Sequence, residues 1–174
     1  MVKKVLWLPL LISVITVSSD MSGNAMADQK TVIGWLEAVY LPEYDFLITA
    51  KIDTGAKTSS IHATDVEYVQ RGKGGSGRIR FKTTDLKGRS RIIEADVLRQ
   101  VTIKKSSIIK RKRPEIELEI CLGGVRKRIR VNLCDRGGMN YRMILGRTAL
   151  EGDFTVDVSK KYIAEPRCGK HETR

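Results

Sequence analysis

The feature that most limits the fold of this chain is a two-residue alternation of apolar and polar side chains, repeated in short segments. In FLITAKI (46–52), apolar side chains stand at every second position from Phe46, and Asp53 follows on the opposite face. Turn residues separate most of the segments, which is the spacing of an antiparallel sandwich or a small barrel. Only the stretch after Gly146 favours a helix, and it is short. The sequence therefore predicts an all-β domain.

The predicted strands are Thr31–Val39, Phe46–Ile52, Ile61–Val69, Arg78–Lys82, Arg91–Leu98, Val101–Lys104, Glu115–Leu122, Val125–Leu133, Tyr141–Leu145 and Phe154–Val158.

The first 27 residues have the layout of a secretory signal peptide. Lys3 and Lys4 precede an apolar run from Val5 to Val17, and small residues around Ala27 offer a cleavage site. The run is too short for a stable membrane span, which takes about 20 residues. We expect cleavage after Ala27 and secretion across the inner membrane into the periplasm, leaving residues 28–174 as one domain. The alternative is an uncleaved N-terminal anchor.

The chain is strongly basic, with a formal net charge of +12. The predicted signal peptide accounts for little of this charge, so the remaining domain should attract an anionic partner. Nucleic acid is disfavoured because an exported protein rarely meets it, and because only 6% of the residues are aromatic. The alternative is that scattered surface cations serve solubility alone.

Three cysteines cannot all pair with one another within one chain. A tight turn is predicted at residues 122–125, which places Cys121 beside the turn and Cys134 near the far end of the return strand. Strand rise would separate the two by roughly 25 Å, whereas bridged Cα atoms lie within about 7 Å. A Cys121–Cys134 bridge is therefore not expected. Cys168 could be free or could pair after rearrangement.

A glycine-rich segment, RGKGGSG at positions 71–77, lies between the third and fourth predicted strands. Glycine loses more backbone entropy on ordering than other residues, so this loop should be mobile. One interpretation is a flap, carried by Gly72, Gly74 and Gly75, that closes over a ligand. The other is a solvated hairpin tip.

The segment KIDTGAKTSSIHA (51–63) places Asp53 at a strand end and follows it with Thr54 and Gly55. The glycine permits close backbone approach, and the threonine can hold a tight loop by hydrogen bonds. Two such acids brought together share a proton, so that one activates water and the other protonates a carbonyl oxygen. A simple turn is the alternative interpretation. One Asp-Thr-Gly per chain indicates that two chains would meet.

Later motifs extend the pattern. A strand entering Asp-Thr-Gly-Ala, a glycine-rich hairpin and a later MILGR (143–147) resemble the retropepsin plan. IGWLEAVYLPE, KRPEIELEICLGG, CDRGGMNYRMILGRTAL and FTVDVS further resemble the bacterial retropepsin-like family once labelled ATP-dependent zinc proteases. The resemblance, over residues 33–159, implies a closed barrel. It also implies that Asp53 is catalytic on a Thr54–Gly55 scaffold, supported by Gly146 and Arg147.

The old family label does not match the residues present. No glycine-rich loop ends in Gly-Lys-Ser/Thr, as ATP binding of the P-loop type requires. No closely spaced Cys/His set suits zinc either, since only His62 and His171 follow the signal peptide. We therefore predict no cofactor and no metal. His62 is interpreted as a structural residue or a substrate contact.

Substrate contacts are expected around the Asp53 loop, from Ala56, Lys57, Thr58, His62, Arg136, Gly146 and Arg147. Lys57 stands where viral relatives have an acid that pairs with the Gly-Arg arginine. We infer that Lys57, Arg147 and Arg136 instead line a basic cleft that suits carboxylate-bearing substrates. The alternative is that Asp135 or Asp153 replaces the missing acidic partner of the arginine.

The prediction from sequence is an aspartic endopeptidase that hydrolyses a peptide or amide bond in an acidic, glutamate-containing substrate. The resemblance supports the substrate class, because relatives are associated with glutamate ligases. A homodimer would supply two acids, and a monomer could use Asp135 as the second. The rival hypothesis is a non-catalytic periplasmic module of the same fold that binds an anionic peptide or a partner protein.

Overall fold

A computed structural model describes residues 29–104 and 110–168, and these residues form mostly strands. The predicted signal peptide lies outside the described residues. The strands are β1 (Thr31–Gly34), β2 (Leu36–Leu41), β3 (Phe46–Ile52), β4 (Ser59–His62), β5 (Thr64–Arg71), β6 (Gly77–Thr84), β7 (Ser90–Lys104), β8 (Lys110–Leu122), β9 (Val125–Cys134), β10 (Met143–Leu145) and β11 (Phe154–Asp157). Short 3₁₀ turns occupy Pro42–Tyr44 and Lys73–Gly75, and the one α-helix of the described residues, α1, spans Arg147–Leu150.

Six strands close into a barrel in the order β2-β3-β10-β4-β9-β8, and a pairing between Tyr40 of β2 and Cys121 of β8 completes the ring. The same sheet continues outward from β8 through β7 and β6 to β5. A separate two-stranded sheet joins β1 to β11 in parallel. The prediction of an all-β, retropepsin-like closed barrel with one short helix near the C-terminus is confirmed.

The core follows the alternation seen in the sequence. In β3, the side chains of Phe46, Ile48, Ala50 and Ile52 are buried, while Leu47 on the other face is exposed. The facing strands contribute the same kind of apolar positions, and together they fill the barrel. The core residues of these strands include Ile61, Ile116, Leu118, Ile120, Ile129, Val131, Leu133, Met143 and Leu145. Burial of this apolar surface is the main driving force for closure.

Two of the strands predicted as continuous are each divided into two strands in the structure. The predicted Thr31–Val39 strand breaks at Trp35, whose N–H donates to Lys160 O at 2.9 Å and whose carbonyl accepts Ile52 N–H at 2.8 Å. Its first part pairs with β11 and its second with β3, so one alternating run serves two sheets. The predicted Ile61–Val69 strand likewise divides at Ala63, where β4 leaves the barrel and β5 begins the outer hairpin.

Conversely, the predicted strands Arg91–Leu98 and Val101–Lys104 form one strand, β7. Pairing with β8 runs along β7 from Val97 to Lys104, with one irregularity between Val97 and Arg99. The apparent interruption in the sequence is therefore a bulge, because the partner strand continues past it.

The segment that follows β11 is attached to the barrel by a disulfide and by a buried carboxylate. Cys121 of β8 is bonded to Cys168, and the predicted absence of a Cys121–Cys134 bridge is confirmed, since Cys134 is free. Glu37 is fully buried, and its carboxylate accepts N–H groups from Gly34, Ile163 and Ala164. These contacts satisfy a charge that would otherwise be costly to bury.

Within the residues described, no helix has the length and apolar character that crossing a membrane would require.

Candidate active site

Asp53 directly follows β3, and the backbone of its own loop orients its side chain. Its Oδ1 accepts N–H groups from Gly55 and Ala56, each at 3.2 Å. Its own N–H donates to Leu145 O of β10 at 2.8 Å. The carboxylate is 30% exposed, and its Oδ2 lies 3.8 Å from Lys51 Nζ. Asp53 is thus a positioned and partly exposed acid, because the backbone holds one oxygen while the other lies beside Lys51 without a hydrogen bond from the described residues.

The neighbouring Gly146–Arg147 turn holds this loop in place. Arg147 N–H donates to Ala56 O at 2.9 Å, and Gly146 N–H donates to Ser59 Oγ at 3.1 Å. The Arg147 guanidinium adds bonds to Thr54 O at 2.8 Å and to Gly55 O at 3.0 Å. The predicted supporting pair therefore lies directly against the predicted catalytic loop.

Among the described residues, no acidic side chain forms an ion pair with the Arg147 guanidinium. Its Nη1 binds two backbone carbonyls instead. Asp153 forms an ion pair with Lys127, and the Asp135 carboxylate accepts Gly137 N–H at 2.8 Å. The alternative in which Asp135 or Asp153 replaces the missing acid is therefore wrong, because neither forms an ion pair with Arg147 and its Nη1 binds backbone carbonyls.

Asp53 opens into a cavity of about 480 Å³ that is lined by Lys51, Asp53, Arg136, Met139, Asn140, Tyr141 and Ile144. Asp53 is the only acid among these lining residues, and two of its companions are cationic. Asp135, considered as a second acid, is not among them, and its side chain is 74% exposed. One chain therefore presents one acid to this cavity.

Arg136 is the buried cation of the cavity. Its Nε donates to Tyr141 O at 2.9 Å, and its Nη1 donates to Ser60 Oγ at 3.1 Å. Burial lowers the pKa of Arg136, and the nearby negative charge of Asp53 opposes that effect. Because its hydrogen-bond partners are neutral, Arg136 keeps a positive charge that a bound anion can use.

His62 holds the loop that carries Arg136. The imidazole is 5% exposed, and its Nδ1 accepts Arg136 N–H at 2.9 Å, with Asp135 Oδ1 at 3.5 Å. Burial lowers the pKa of His62, and the charge of Arg142 lowers it further. His62 ends β4, whereas the sequence had placed it at the start of a strand. This geometry matches the structural interpretation of His62.

The three cations predicted to line one cleft lie in three places. Only Arg136 shares the cavity of Asp53. Lys57, with Thr58, lines a second cavity of about 430 Å³, and Arg147 lines a third of about 440 Å³ with Thr54. A single basic cleft of Lys57, Arg147 and Arg136 stays a prediction, since the three side chains line different recesses of the isolated chain.

The sequence analysis missed Lys51 as a cavity residue, although a signal for it existed. Lys51 shares the face of Asp53 in the alternation of β3, two positions before the acid. The structure also pairs Ile144 of β10 with Lys51 in register. A charged side chain on the acid's own face could therefore have been proposed as a neighbour.

The predicted flap glycines close the β5–β6 hairpin at the outer edge of the sheet. Gly72 N–H donates to Ser76 O at 3.0 Å, and Gly74 has a φ of 68°, which favours glycine. In the strand order, this hairpin is separated from the barrel strand β8 by β7. A flap role for Gly72, Gly74 and Gly75 stays a prediction.

Among the residues that the structure describes, no group of three or more His, Cys, Asp or Glu side chains could hold a metal ion.

Comparison with known proteins finds relatives that share about a third of their residues with this chain over the matched region. The chain is 34% identical over 141 residues to a probable alpha-L-glutamate ligase of Shewanella pealeana. This match covers 79% of the present chain and 30% of the ligase. A protein of the same name from Parasynechococcus marenigrum is 35% identical over 133 residues. That match covers 74% of this chain and 28% of the relative. The chain thus spans less than a third of these relatives.

A solved structure shares the fold. The crystal structure of Lpg0085 from Legionella pneumophila, a protein of unknown function, matches with a TM-score of 0.65 and 29% identity. The match covers 79% of this chain and all of that one. The RimB-like family, described as retropepsin-like aspartic endopeptidase RimB, matches residues 32–167. This chain therefore belongs to the RimB-like family of retropepsin-like aspartic endopeptidases.

Proposed function

We propose that this protein is an aspartic peptidase that hydrolyses a peptide or amide bond in an acidic, glutamate-containing substrate. The observation that carries the proposal is the Asp53 carboxylate. Two backbone N–H groups orient one oxygen, the other remains free of hydrogen bonds among the described residues, and an open cavity lies beside it. Such an acid can take a proton from water while the water oxygen attacks a carbonyl carbon.

The reaction needs a second acid, which we propose comes from a second copy of the chain. One Asp53 carboxylate accepts the proton of the attacking water, and the partner's protonated acid gives its proton to the carbonyl oxygen. Collapse of the tetrahedral intermediate then breaks the C–N bond: the first acid gives its proton to the leaving amine, and a hydroxyl of the intermediate returns its proton to the partner's carboxylate as the C=O bond re-forms. Exposed Thr54 and Gly55 offer the surface on which two such loops could meet.

An apolar surface beside Thr54 supports the pairing of two chains. Leu150, Phe154 and Val156 line the cavity that Thr54 and Arg147 share, and Val32 on the adjoining strand β1 is exposed. Leu150 and Phe154 are already buried in the core, so the apolar surface that a second chain could cover consists of exposed Val32 and half-buried Val156. A symmetric pair would bring the same loop from each copy to one axis.

The substrate class follows from the charges around the acid. Lys51 and Arg136 line the cavity, and both can bind a carboxylate next to the bond that is cleaved. The relatives named as probable alpha-L-glutamate ligases support the same class, because the bonds that a glutamate ligase forms contain glutamate. We therefore propose glutamate at or beside the cleaved bond.

Export to the periplasm belongs to the same proposal. The Cys121–Cys168 disulfide supports it, because disulfides persist in oxidising compartments and are rare in the cytosol. The N-terminal Lys-Lys and apolar pattern supplies the targeting signal.

The test incubates the full chain, with its disulfide intact, with peptides that carry glutamate at defined positions. Asp53→Asn should abolish cleavage while leaving the circular dichroism spectrum and unfolding midpoint nearly unchanged. Asp135→Asn is the matched control and should retain activity, since Asp135 lies outside the cavity. Excess Asp53→Asn chain mixed with wild type should extinguish wild-type activity if two copies share one site. Cleavage that survives in Asp53→Asn would overturn the proposal.

A non-catalytic binding module is the second candidate, and the single acid in the Asp53 cavity favours it. An anion could bind Lys51 and Arg136 without any bond being broken. Wild type and Asp53→Asn that both bind a glutamate peptide, with no cleavage by either at any pH, would establish this function instead.

A further inference from the structure

Trp35 lies at the junction of β1 and β2, and its aromatic ring contacts a residue that lines the Asp53 cavity. The ring stands edge-on to the ring of Tyr141, with the ring centroids 6.1 Å apart and the ring planes at 82°. This T-shaped arrangement is a favourable geometry for an aromatic pair. Tyr141 is one of the lining residues of the cavity, whereas Trp35 is not. Trp35 therefore contacts the cavity wall without being part of it.

The backbone of Trp35 is held from two sides. Its N–H donates to Lys160 O at 2.9 Å, and its carbonyl oxygen accepts Ile52 N–H at 2.8 Å. The preceding residue, Gly34, packs so closely on the segment after β11 that a Cβ there would lie 2.5 Å from Lys160 O. Trp35 therefore has little freedom to move, and its ring gives Tyr141 a fixed surface to pack on.

Tyr141 in turn holds the buried cation of the cavity. Its carbonyl oxygen accepts Arg136 Nε–H at 2.9 Å, and Arg136 is 9% exposed. Tyr141 lies in the loop between β9 and β10, outside the strands. No strand register fixes it there, so its place depends on contacts such as that with Trp35. A displacement of Tyr141 would move the acceptor that sets the direction of the guanidinium.

The direction of Arg136 matters for binding an anion. Its Nε donates to Tyr141 O, and its Nη1 donates to Ser60 Oγ at 3.1 Å. These two hydrogen bonds orient the planar guanidinium, and binding of a carboxylate by two parallel N–H groups requires that orientation. When one of them is lost, the charge stays in place but the guanidinium can turn. The affinity for a carboxylate should then fall without any change in net charge.

We propose that Trp35 is a positioning residue for the proposed peptidase: it holds Tyr141, and through Tyr141 it directs Arg136 toward a carboxylate of the substrate. Trp35 itself does not touch the substrate. The inference rests on the proposed function, since it takes the Asp53 cavity as the place where that carboxylate binds. A side chain outside the cavity thus sets the affinity inside it.

Peptide binding tests this role without turnover. Fluorescence anisotropy of a labelled glutamate-containing peptide is recorded with the full chain carrying Asp53→Asn. Adding Trp35→Leu should weaken binding about fivefold, the equivalent of one aromatic contact. Trp35→Phe should recover most of the affinity, because it restores an edge-on ring. Tyr44→Leu is the matched control: it removes a partly buried ring in the turn before β3 and should leave the affinity within about twofold.

A double-mutant cycle separates positioning from a general loss of stability. If Trp35 acts through Arg136, Trp35→Leu should cost less than about twofold in a chain that also carries Arg136→Gln. Beside Lys51→Gln it should still cost about fivefold, because Lys51 stands on strand β3 and not on the loop of Tyr141. Titration to millimolar peptide keeps these weakened variants measurable. An equal loss in both backgrounds would overturn the inference.

Thermal unfolding of each variant shows whether it is folded at the assay temperature. Should Trp35→Leu not be, Tyr141→Leu breaks the same contact from the other side and takes its place in the cycle. Where cleavage is measured, Trp35→Leu should raise KM about fivefold and leave kcat within about twofold, as loss of substrate binding does. A fall in kcat at constant KM would also overturn the inference.

Failure of this inference can be told from failure of the peptidase. Wild type that cleaves, with losses from Trp35→Leu and Arg136→Gln that add, would refute the role of Trp35 and leave the peptidase standing. Wild type that cleaves nothing, with losses that do not add, would support the positioning role in a binding module and refute the peptidase.

Discussion

Arg147 reaches across the site to Thr54 and binds its carbonyl oxygen at 2.8 Å, while the same Nη1 binds Gly55 O at 3.0 Å. The two residues are far apart in the sequence, yet this contact fixes the loop that presents Asp53. The geometry of the Asp53 loop therefore depends on α1 as well as on β3.

Arg147→Ala should lower the free energy of unfolding by about 1–2 kcal/mol, since exposed hydrogen bonds of this kind contribute about that much. Peptide cleavage should fall more steeply than stability, because a small displacement of a positioned acid is costly to catalysis. Urea denaturation and initial rates measure the two effects. Arg147→Lys should recover part of the activity, since one amine can still reach one carbonyl. Full activity in Arg147→Ala would contradict the loop-fixing role.

Gly146 leaves no room for a side chain. A Cβ at this position would lie 2.7 Å from both the carbonyl carbon and the oxygen of Thr58. Gly146→Ala should therefore destabilise the protein by about 1–3 kcal/mol, as overpacking does. Gly138 provides the matched control, because a Cβ there would meet nothing within 4 Å. Thermal unfolding of the two alanine variants makes the comparison, and equal midpoints would contradict the steric account.

Reduction of the Cys121–Cys168 disulfide should destabilise the folded state. The bridged residues are 47 apart in the sequence, and a loop of that size gives an entropic stabilisation of about 4 kcal/mol. Cys168→Ser should show the same loss in the absence of a reductant. Cys134→Ser should stay within about 0.5 kcal/mol of wild type, since Cys134 is unpaired. Unfolding midpoints that do not respond to dithiothreitol would argue against this contribution.

The stability of the protein should depend on the protonation of His62. Burial, followed by the charges of Arg142 and Arg136, lowers the pKa of His62 below its ordinary value of 6.5. The charge of Asp135 opposes this shift but does not cancel it. The unfolded chain therefore takes up a proton at higher pH than the folded chain does. The free energy of unfolding should fall as the pH drops through about 6.5, and this loss should end below the folded pKa.

His62→Gln tests that dependence. The amide oxygen of glutamine can still accept Arg136 N–H, but it does not titrate. Denaturation midpoints from pH 7.5 to pH 5 should therefore change less steeply in the variant than in wild type. Parallel slopes for the two proteins would show that His62 does not contribute.

Local patterns carried much of the fold prediction. The burial of alternate residues in β3, the turn into Asp53 and the helix after Gly146 all depend on neighbours in the sequence. The break at Trp35 could not be predicted from local patterns, because apolar and polar residues alternate equally well on both sides of it. Only the distant partners, β11 and β3, decide that the two halves belong to different sheets.

The candidate site was harder to predict because its cations converge through long-range pairings. Arg136 meets Asp53 only because β10 lies between β3 and β4, and because β4 pairs in parallel with β9. The same registers send Lys57 and Arg147 into other cavities. Cys168 could not be assigned for a similar reason, since its approach to Cys121 depends on how the C-terminal segment packs.

The parallel pairing of β1 with β11 also bears on the order of events during folding. Thr31 aligns with Phe154, so the strand made first must wait for nearly the whole domain before it gains its partner. Contacts between such distant residues form slowly. Until β11 is in place, Val32 and Ile33 have no sheet to join, and their unpaired strand is open to association with other chains during that interval.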